Sequence, residues 1–222
     1  MKTPTVECQA AIFDLDGTLL DTLEDIAASM NAALQRLGYP AHDTALYRYL
    51  TGDGMRTLAE RSLPLLERSE MTVQSCIREF RSEYEIRWAA KTGPYPGIPD
   101  LLDALERRGI KLNVLSNKLE KFTQRLAHHF LSRWHFSFVI GLRPGLPQKP
   151  DPAGALLIAR ELGIPPAQFI YLGDTGVDMK TAVQAGMFPV GALWGFREEK
   201  ELVDSGARKL VADPRGLLKF LA

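Results

Sequence analysis

The sequence is poor in cysteine, in net charge and in long apolar runs, and each shortage excludes a class of protein. Cys8 and Cys76 are the only cysteines in 222 residues, too few and too far apart for a disulfide or zinc framework. A reducing compartment, the cytoplasm, is the expectation. Lys and Arg number 27 against 27 Asp and Glu, a formal net charge of zero. No global field gathers phosphate backbones or anionic lipid, which disfavours a nucleic-acid or membrane role. The first apolar run, Ala10-Ala11-Ile12-Phe13, is cut at Asp14, far short of a signal-peptide core or a membrane span. No targeting segment is expected, and the mature chain is expected to start near Met1.

What remains has the average make-up of a globular domain, 45% hydrophobic and 24% charged. Its length suits one or two domains. Gln9 to Phe13 reads as a buried strand that delivers two carboxylates, Asp14 and Asp16, to its C-terminal end. Asp21 can cap the next segment, a helix of about four turns that Gly38 ends. The pattern then stays helical to Gly93, with segments at Thr44 to Leu50, Met55 to Leu66 and Thr72 to Lys91. After the turn-rich Gly93-Pro94-Tyr95-Pro96-Gly97 the texture alternates. Strands are expected at Leu112 to Leu115, Phe136 to Ile140, Phe169 to Leu172, Pro189 to Leu193 and Lys209 to Ala212. Helices are expected at Pro99 to Arg108, Leu119 to Phe130, Pro152 to Leu162 and Val177 to Gln184. Alternation of this kind implies right-handed crossovers and an open parallel sheet, an α/β Rossmann-like core. The predicted layout is a core of residues 1–20 and 94–222, with an all-helical domain, 21–93, inserted after the first strand.

Sites in open parallel sheets lie beyond the carboxyl ends of strands. Polar groups cluster there: Asp14, Asp16 and Thr18; Ser116-Asn117-Lys118; Gln148-Lys149-Pro150; and Gly173-Asp174-Thr175-Gly176-Val177-Asp178. These types suit phosphoryl transfer through a covalent aspartate. A carboxylate attacks phosphorus once a divalent cation and a lysine neutralise the approaching charges. Mg²⁺ prefers hard oxygen ligands, here Asp14 and Asp174. Asp16 can protonate the leaving oxygen and later deprotonate water. Ser116 can hold phosphate oxygens and Lys149 can steady the transition state.

Asp14-Leu15-Asp16-Gly17-Thr18-Leu19 resembles the first motif of the haloacid dehalogenase superfamily. Ser116-Asn117 is similar to its second motif, Lys149 to its third, and Gly173 to Asp178 to its fourth. The resemblance implies Asp14 as nucleophile, Asp16 as general acid/base and Lys149 as the catalytic cation. It implies Thr18, Ser116 and Asn117 on the substrate side. A metal would be held by Asp14, the Asp16 carbonyl, Asp174 and, in or near the second shell, Asp178. Superfamily members with an acid at the position of Asp16 are phosphatases or mutases, and the helical insertion resembles their cap. Leu50 to Leu58, Tyr95-Pro96-Gly97 and Leu193 to Arg197 further resemble the phosphoglycolate phosphatase group, which implies a small phosphorylated metabolite as partner. Arg56 is the expected cap cation for a substrate carboxylate. A sugar phosphomutase resembling β-phosphoglucomutase, and a non-catalytic phosphate-binding or aspartyl-phosphate signalling module, are the alternatives. The oligomeric state is not readable.

Other features have plainer readings. His128, His129 and His135 lack the spacing of a metal set and are expected to be structural. Gly52 and Gly54 mark a turn that could face an anion. Trp88, Trp194 and Cys76 are expected to pack, Trp194 against the loop beside Asp174.

Overall fold

The structure, a computed structural model, describes residues 7–221. The expected start near Met1 lies outside them. Two compact units are present, one made of Met1–Leu20 with Pro94–Ala222 and the other of Asp21–Gly93.

The first unit is built on six parallel strands: β1 (Ala10–Phe13), β2 (Lys111–Leu119), β3 (Phe136–Leu142), β4 (Phe169–Gly173), β5 (Phe188–Ala192) and β6 (Lys209–Val211). Their order is β3-β2-β1-β4-β5-β6. The direction of travel reverses at β1, so β1 is central and both of its neighbours come from distant sequence, the arrangement that opens a crevice at the strand ends. A central parallel strand has no solvent face. All four residues of β1 are accordingly buried, and Ala10 and Ile12 pack with Phe169, Tyr171, Ala155, Ile158 and Ala182.

The connecting helices are α5 (Ile98–Arg107), α6 (Glu120–Leu131), α7 (Ala153–Leu162), α8 (Gly176–Gln184) and α9 (Glu199–Asp204). The first four fall within a residue of the sequence reading at each end. The last was not expected, because six residues with one buried side chain, Leu202, carry no periodic signal.

The second unit holds α1 (Leu23–Arg36), α2 (Tyr47–Leu50), α3 (Gly54–Ser62) and α4 (Glu70–Arg87). Asp21 Oδ1 accepts a hydrogen bond from the Leu23 N–H at 3.3 Å at the start of α1. Gly38 ends that helix at φ 80°, which lets the Tyr39 N–H return to the Leu34 carbonyl at 2.9 Å. The single helix expected over Met55 to Leu66 stops at Ser62. Leu63 precedes Pro64 and is extended, with ψ 147°, because the proline ring disfavours the helical region for the residue before it. Cys76 is buried, as expected, with its thiol 3.5 Å from Met30 Sδ. Buried Asp25 on α1 accepts from the N–H of Lys91 at 3.0 Å, the N–H of Thr92 at 2.9 Å and the Thr92 hydroxyl at 2.7 Å, which ties the end of this unit to its beginning.

Candidate active site

Strand register assembles the site. Phe13 lies level with Val114 on one side and Leu172 on the other. The chain therefore leaves β1 at Asp14 beside Gly173, one residue before Asp174, and Ser116 stands two residues beyond the same level in β2. The Asp14 N–H donates to the Leu172 carbonyl at 3.0 Å, which continues the ladder to Asp14 itself.

Asp14, Asp174 and Asp178 each offer a carboxylate oxygen within 4.8 Å of the others, and all three are buried. The Lys149 Nζ lies 2.8 Å from Asp14 Oδ1 and 2.7 Å from Asp178 Oδ1. Three carboxylates facing one ammonium leave a deficit of positive charge in a dry place, which is costly. The deficit shifts the protonation of these groups. Burial, reinforced by Asp178 and Asp16 and opposed by Lys149, pushes Asp14 up to about 7. Burial and then the charges of Asp14 and Asp178 hold Asp174 well above the usual carboxylate range. Burial works against the Lys149 ammonium, but Asp14 and Asp178 outweigh it and keep that group firmly protonated. Hard, crowded carboxylate oxygens short of positive charge are the donor set that a divalent cation fits.

Each acid is held from behind. The Thr18 hydroxyl donates to Asp174 Oδ1 at 2.7 Å, and the Phe196 N–H donates to Asp174 Oδ2 at 2.7 Å. Thr18, expected on the substrate side, directs its hydroxyl to a cluster carboxylate. Asp178 Oδ2 accepts from the Thr175 N–H at 3.1 Å and the Thr175 hydroxyl at 2.7 Å, a capping box that begins α8 and aims the other oxygen at Lys149. Trp194 does lie where it was placed: its indole N–H donates to the Thr18 carbonyl at 3.0 Å.

Asp16 stands apart from the three-acid cluster. Both of its oxygens lie 3.0 Å from Lys118 Nζ, and its side chain retains 14% exposure against 9% for that of Asp14. The expectation of Asp16 among the metal ligands rested on its backbone carbonyl, and the carboxylate is not in the cluster. Lys118, named with the polar groups at the strand end, was given no role of its own. One lysine next to Ser116-Asn117 carries no signal until the fold brings β1 and β2 side by side.

Ser116 is buried, and its hydroxyl accepts from the Lys118 N–H at 3.3 Å. Asn117, expected to bind phosphate, directs its side chain to the Lys149 main chain: Nδ2 donates to the Lys149 carbonyl at 3.1 Å and Oδ1 accepts from the Lys149 N–H at 2.9 Å. In the helical unit, Arg56 is half-exposed and already paired, with Nε 2.8 Å from Glu60 and Nη2 2.5 Å from Glu70. Among the described residues, His128, His129 and His135 join no metal-competent cluster.

Comparison with known proteins agrees with this geometry. The family model described as haloacid dehalogenase-like hydrolase matches residues 11–192. A phosphoglycolate phosphatase of Aquifex aeolicus is 35% identical over 189 residues, 83% of this chain and 84% of that protein. Another from Psychrobacter arcticus is 32% identical over 221 residues, 96% of this chain and 95% of its own. The crystal structure of a predicted phosphoglycolate phosphatase from Haemophilus somnus superposes with a TM-score of 0.89 at 28% identity, covering 96% of this chain and 98% of that one. The chain belongs to the haloacid dehalogenase-like hydrolases. It is a phosphatase of that family, similar along nearly its whole length to phosphoglycolate phosphatases. No helix among the described residues is long and apolar enough to cross a membrane.

Proposed function

We propose that this phosphatase hydrolyses a small phosphomonoester of the phosphoglycolate type, with Mg²⁺ as its divalent cation and Asp14 as nucleophile. The observation that carries the reading is the pairing of a buried Asp14 with Lys149 at 2.8 Å, inside a cluster of acids that a divalent cation completes. When bound, Mg²⁺ would be held by Asp14, Asp174 and Asp178 and would supply charge neutralisation for an incoming phosphate.

Asp14 attacks phosphorus; a bond forms from its carboxylate oxygen to phosphorus, and the bond from phosphorus to the ester oxygen breaks. Asp16 gives its proton to the departing alkoxide, and the alcohol leaves. Water then attacks the acyl phosphate, Asp16 takes its proton, and inorganic phosphate departs with Asp14 restored. Lys149 balances the charge that gathers on the transferring group, and Ser116 stands ready to bind a phosphate oxygen. The pairing of Asp16 with Lys118 and of Asp14 with Lys149 supports this division of roles.

Steady-state kinetics over 2-phosphoglycolate, hexose phosphates, nucleotides and pyrophosphate, with and without EDTA, tests the substrate and the metal together. The expected result is metal-dependent release of phosphate, with kcat/KM highest for 2-phosphoglycolate. Preference for a hexose phosphate without phosphate release would overturn it in favour of a mutase.

A further inference from the structure

On the reading of Lys149 as the cation of Asp14 chemistry, we infer that Asn117 is a positioning residue that acts through Lys149, and that its side chain is not a phosphate ligand. Lys149 lies in a segment, 143–152, with neither helix nor strand, yet its ammonium must be delivered between Asp14 and Asp178. Regular structure does not fix that main chain. The Asn117 amide does, because it meets the Lys149 residue at both of its backbone polar atoms, 3.1 Å to the carbonyl and 2.9 Å from the N–H.

A side chain with a donor and an acceptor side by side is needed for this double bond, and a primary amide is the neutral group that has both. Rotating the amide by half a turn would set donor against donor and acceptor against acceptor, so a single orientation satisfies both bonds. Two bonds to one residue fix its rotation as well as its position, as a pair of hydrogen bonds does in an antiparallel ladder. Both residues are nearly sealed, Asn117 at 5% and Lys149 at 4% exposure, so neither bond is shared with bulk water. The helical unit uses the same device: Asn31 Nδ2 donates to the His42 carbonyl at 2.9 Å, and its Oδ1 accepts from the His42 N–H at 2.9 Å. There too, an asparagine on a regular element holds a residue of an irregular loop.

The consequence for catalysis is a matter of placement. A misplacement of about 1 Å can cost on the order of a hundredfold in rate, and the Asn117 side chain fixes where the Lys149 side chain begins.

The test is a double-mutant cycle of wild type, Asn117→Ala, Lys149→Met and the double variant. Its readouts are kcat and KM for p-nitrophenyl phosphate, and the affinity for inorganic phosphate by titration calorimetry. Asn117→Ala alone should lower kcat by roughly ten- to a hundredfold. Added to Lys149→Met, it should change kcat and phosphate affinity by less than about twofold, because the group it serves has gone. An equal loss in both backgrounds, or weaker phosphate binding on adding Asn117→Ala to Lys149→Met, overturns the assignment. Should Asn117→Ala fail to give a cooperative thermal transition, Asn117→Ser takes its place in the cycle. If Lys149→Met residual activity is too low to measure, phosphate affinity alone decides. Full activity in Lys149→Met, or a wild type inert to every phosphomonoester, would instead strike the catalytic reading on which the inference rests.

Discussion

Asp14 and Asp16 are two residues apart and differ in surroundings, and in the proposed mechanism that difference divides the chemistry between them. Asp14 is enclosed with Lys149 and two further acids. Asp16 rests against Lys118 at 3.0 Å through both oxygens. Under the proposed mechanism, Lys118 sets where the acid/base group waits. Replacing Lys118 by Met should lower kcat for an alkyl phosphate such as 2-phosphoglycolate by about tenfold or more, since general acid–base help is worth roughly 10² to 10⁴. The loss for p-nitrophenyl phosphate, whose leaving group needs little protonation, should be much smaller. Equal losses on both substrates would show that Lys118 does something other than place Asp16.

The residue scale is also where the sequence was most and least legible. Asp14, Asp16 and Asp174 could be picked out because acids directly after apolar strands are expensive without a compensating cation. Thr18 and Asn117 were picked out too, but not for the contacts their side chains make with Asp174 and Lys149. Their types say that they hydrogen-bond, and only the register of β1 against β2 and β4 says to what. The pairing of Arg56 with Glu70 was not legible for a similar reason, since the two become neighbours only when α3 and α4 have folded.

At the scale of elements, the loop after β1 is shaped by close approach. Gly17 has φ 85°, a region that side chains disfavour, and a Cβ there would fall on the Asp174 carboxylate. Gly195 lies so near Asp174 Cβ and the Gly17 carbonyl that a methyl group would collide with both. Backbone cannot yield as the end of a flexible side chain can, so Gly195→Ala must displace either Asp174 or the Gly17 turn. The expected outcome is a folded protein with divalent-cation affinity reduced by about ten- to a hundredfold, the usual cost of disturbing a ligand's support, measured by titration of activity with Mg²⁺. Unchanged affinity would show that the loop has slack the geometry does not reveal.

Element existence was readable wherever an apolar period ran for several turns or a strand was buried on both faces. It was not readable in α9 or in the 3-10 turn at Pro214–Phe220, where short segments are held by tertiary contact. One boundary, the end of α3, was set by a proline that the periodicity of Met55 to Leu66 masks.

Over the whole molecule, a chain with no net charge concentrates its imbalance in one buried place. That arrangement couples stability to pH and metal. Asp14 titrates in the fold near about 7 against about 3.9 in an unfolded chain, and Asp174 is raised as well. A carboxyl group with a raised folded pKa binds its proton more tightly in the native state. It therefore favours the fold at low pH, and that contribution is lost as pH rises from the unfolded value through the folded one. A divalent cation replaces those protons and binds best when they are gone. Added Mg²⁺ should raise Tm by several degrees at pH 8 and by little at pH 5. A shift of the same size at both values would mean that the cation is not competing with protons at these acids.

The central claim is that Asp14 carries the phosphoryl group covalently. The direct measurement is rapid mixing of excess enzyme with ³²P-labelled substrate, acid quenching within the first turnover, and mapping of protein-bound label by peptide. The account predicts transient, acid-stable label on the peptide that contains Asp14, decaying as phosphate appears and absent in Asp14→Asn, which should fold normally and release no phosphate. Hydrolysis without label on the protein, label on a different residue, or near-normal turnover by Asp14→Asn would contradict it.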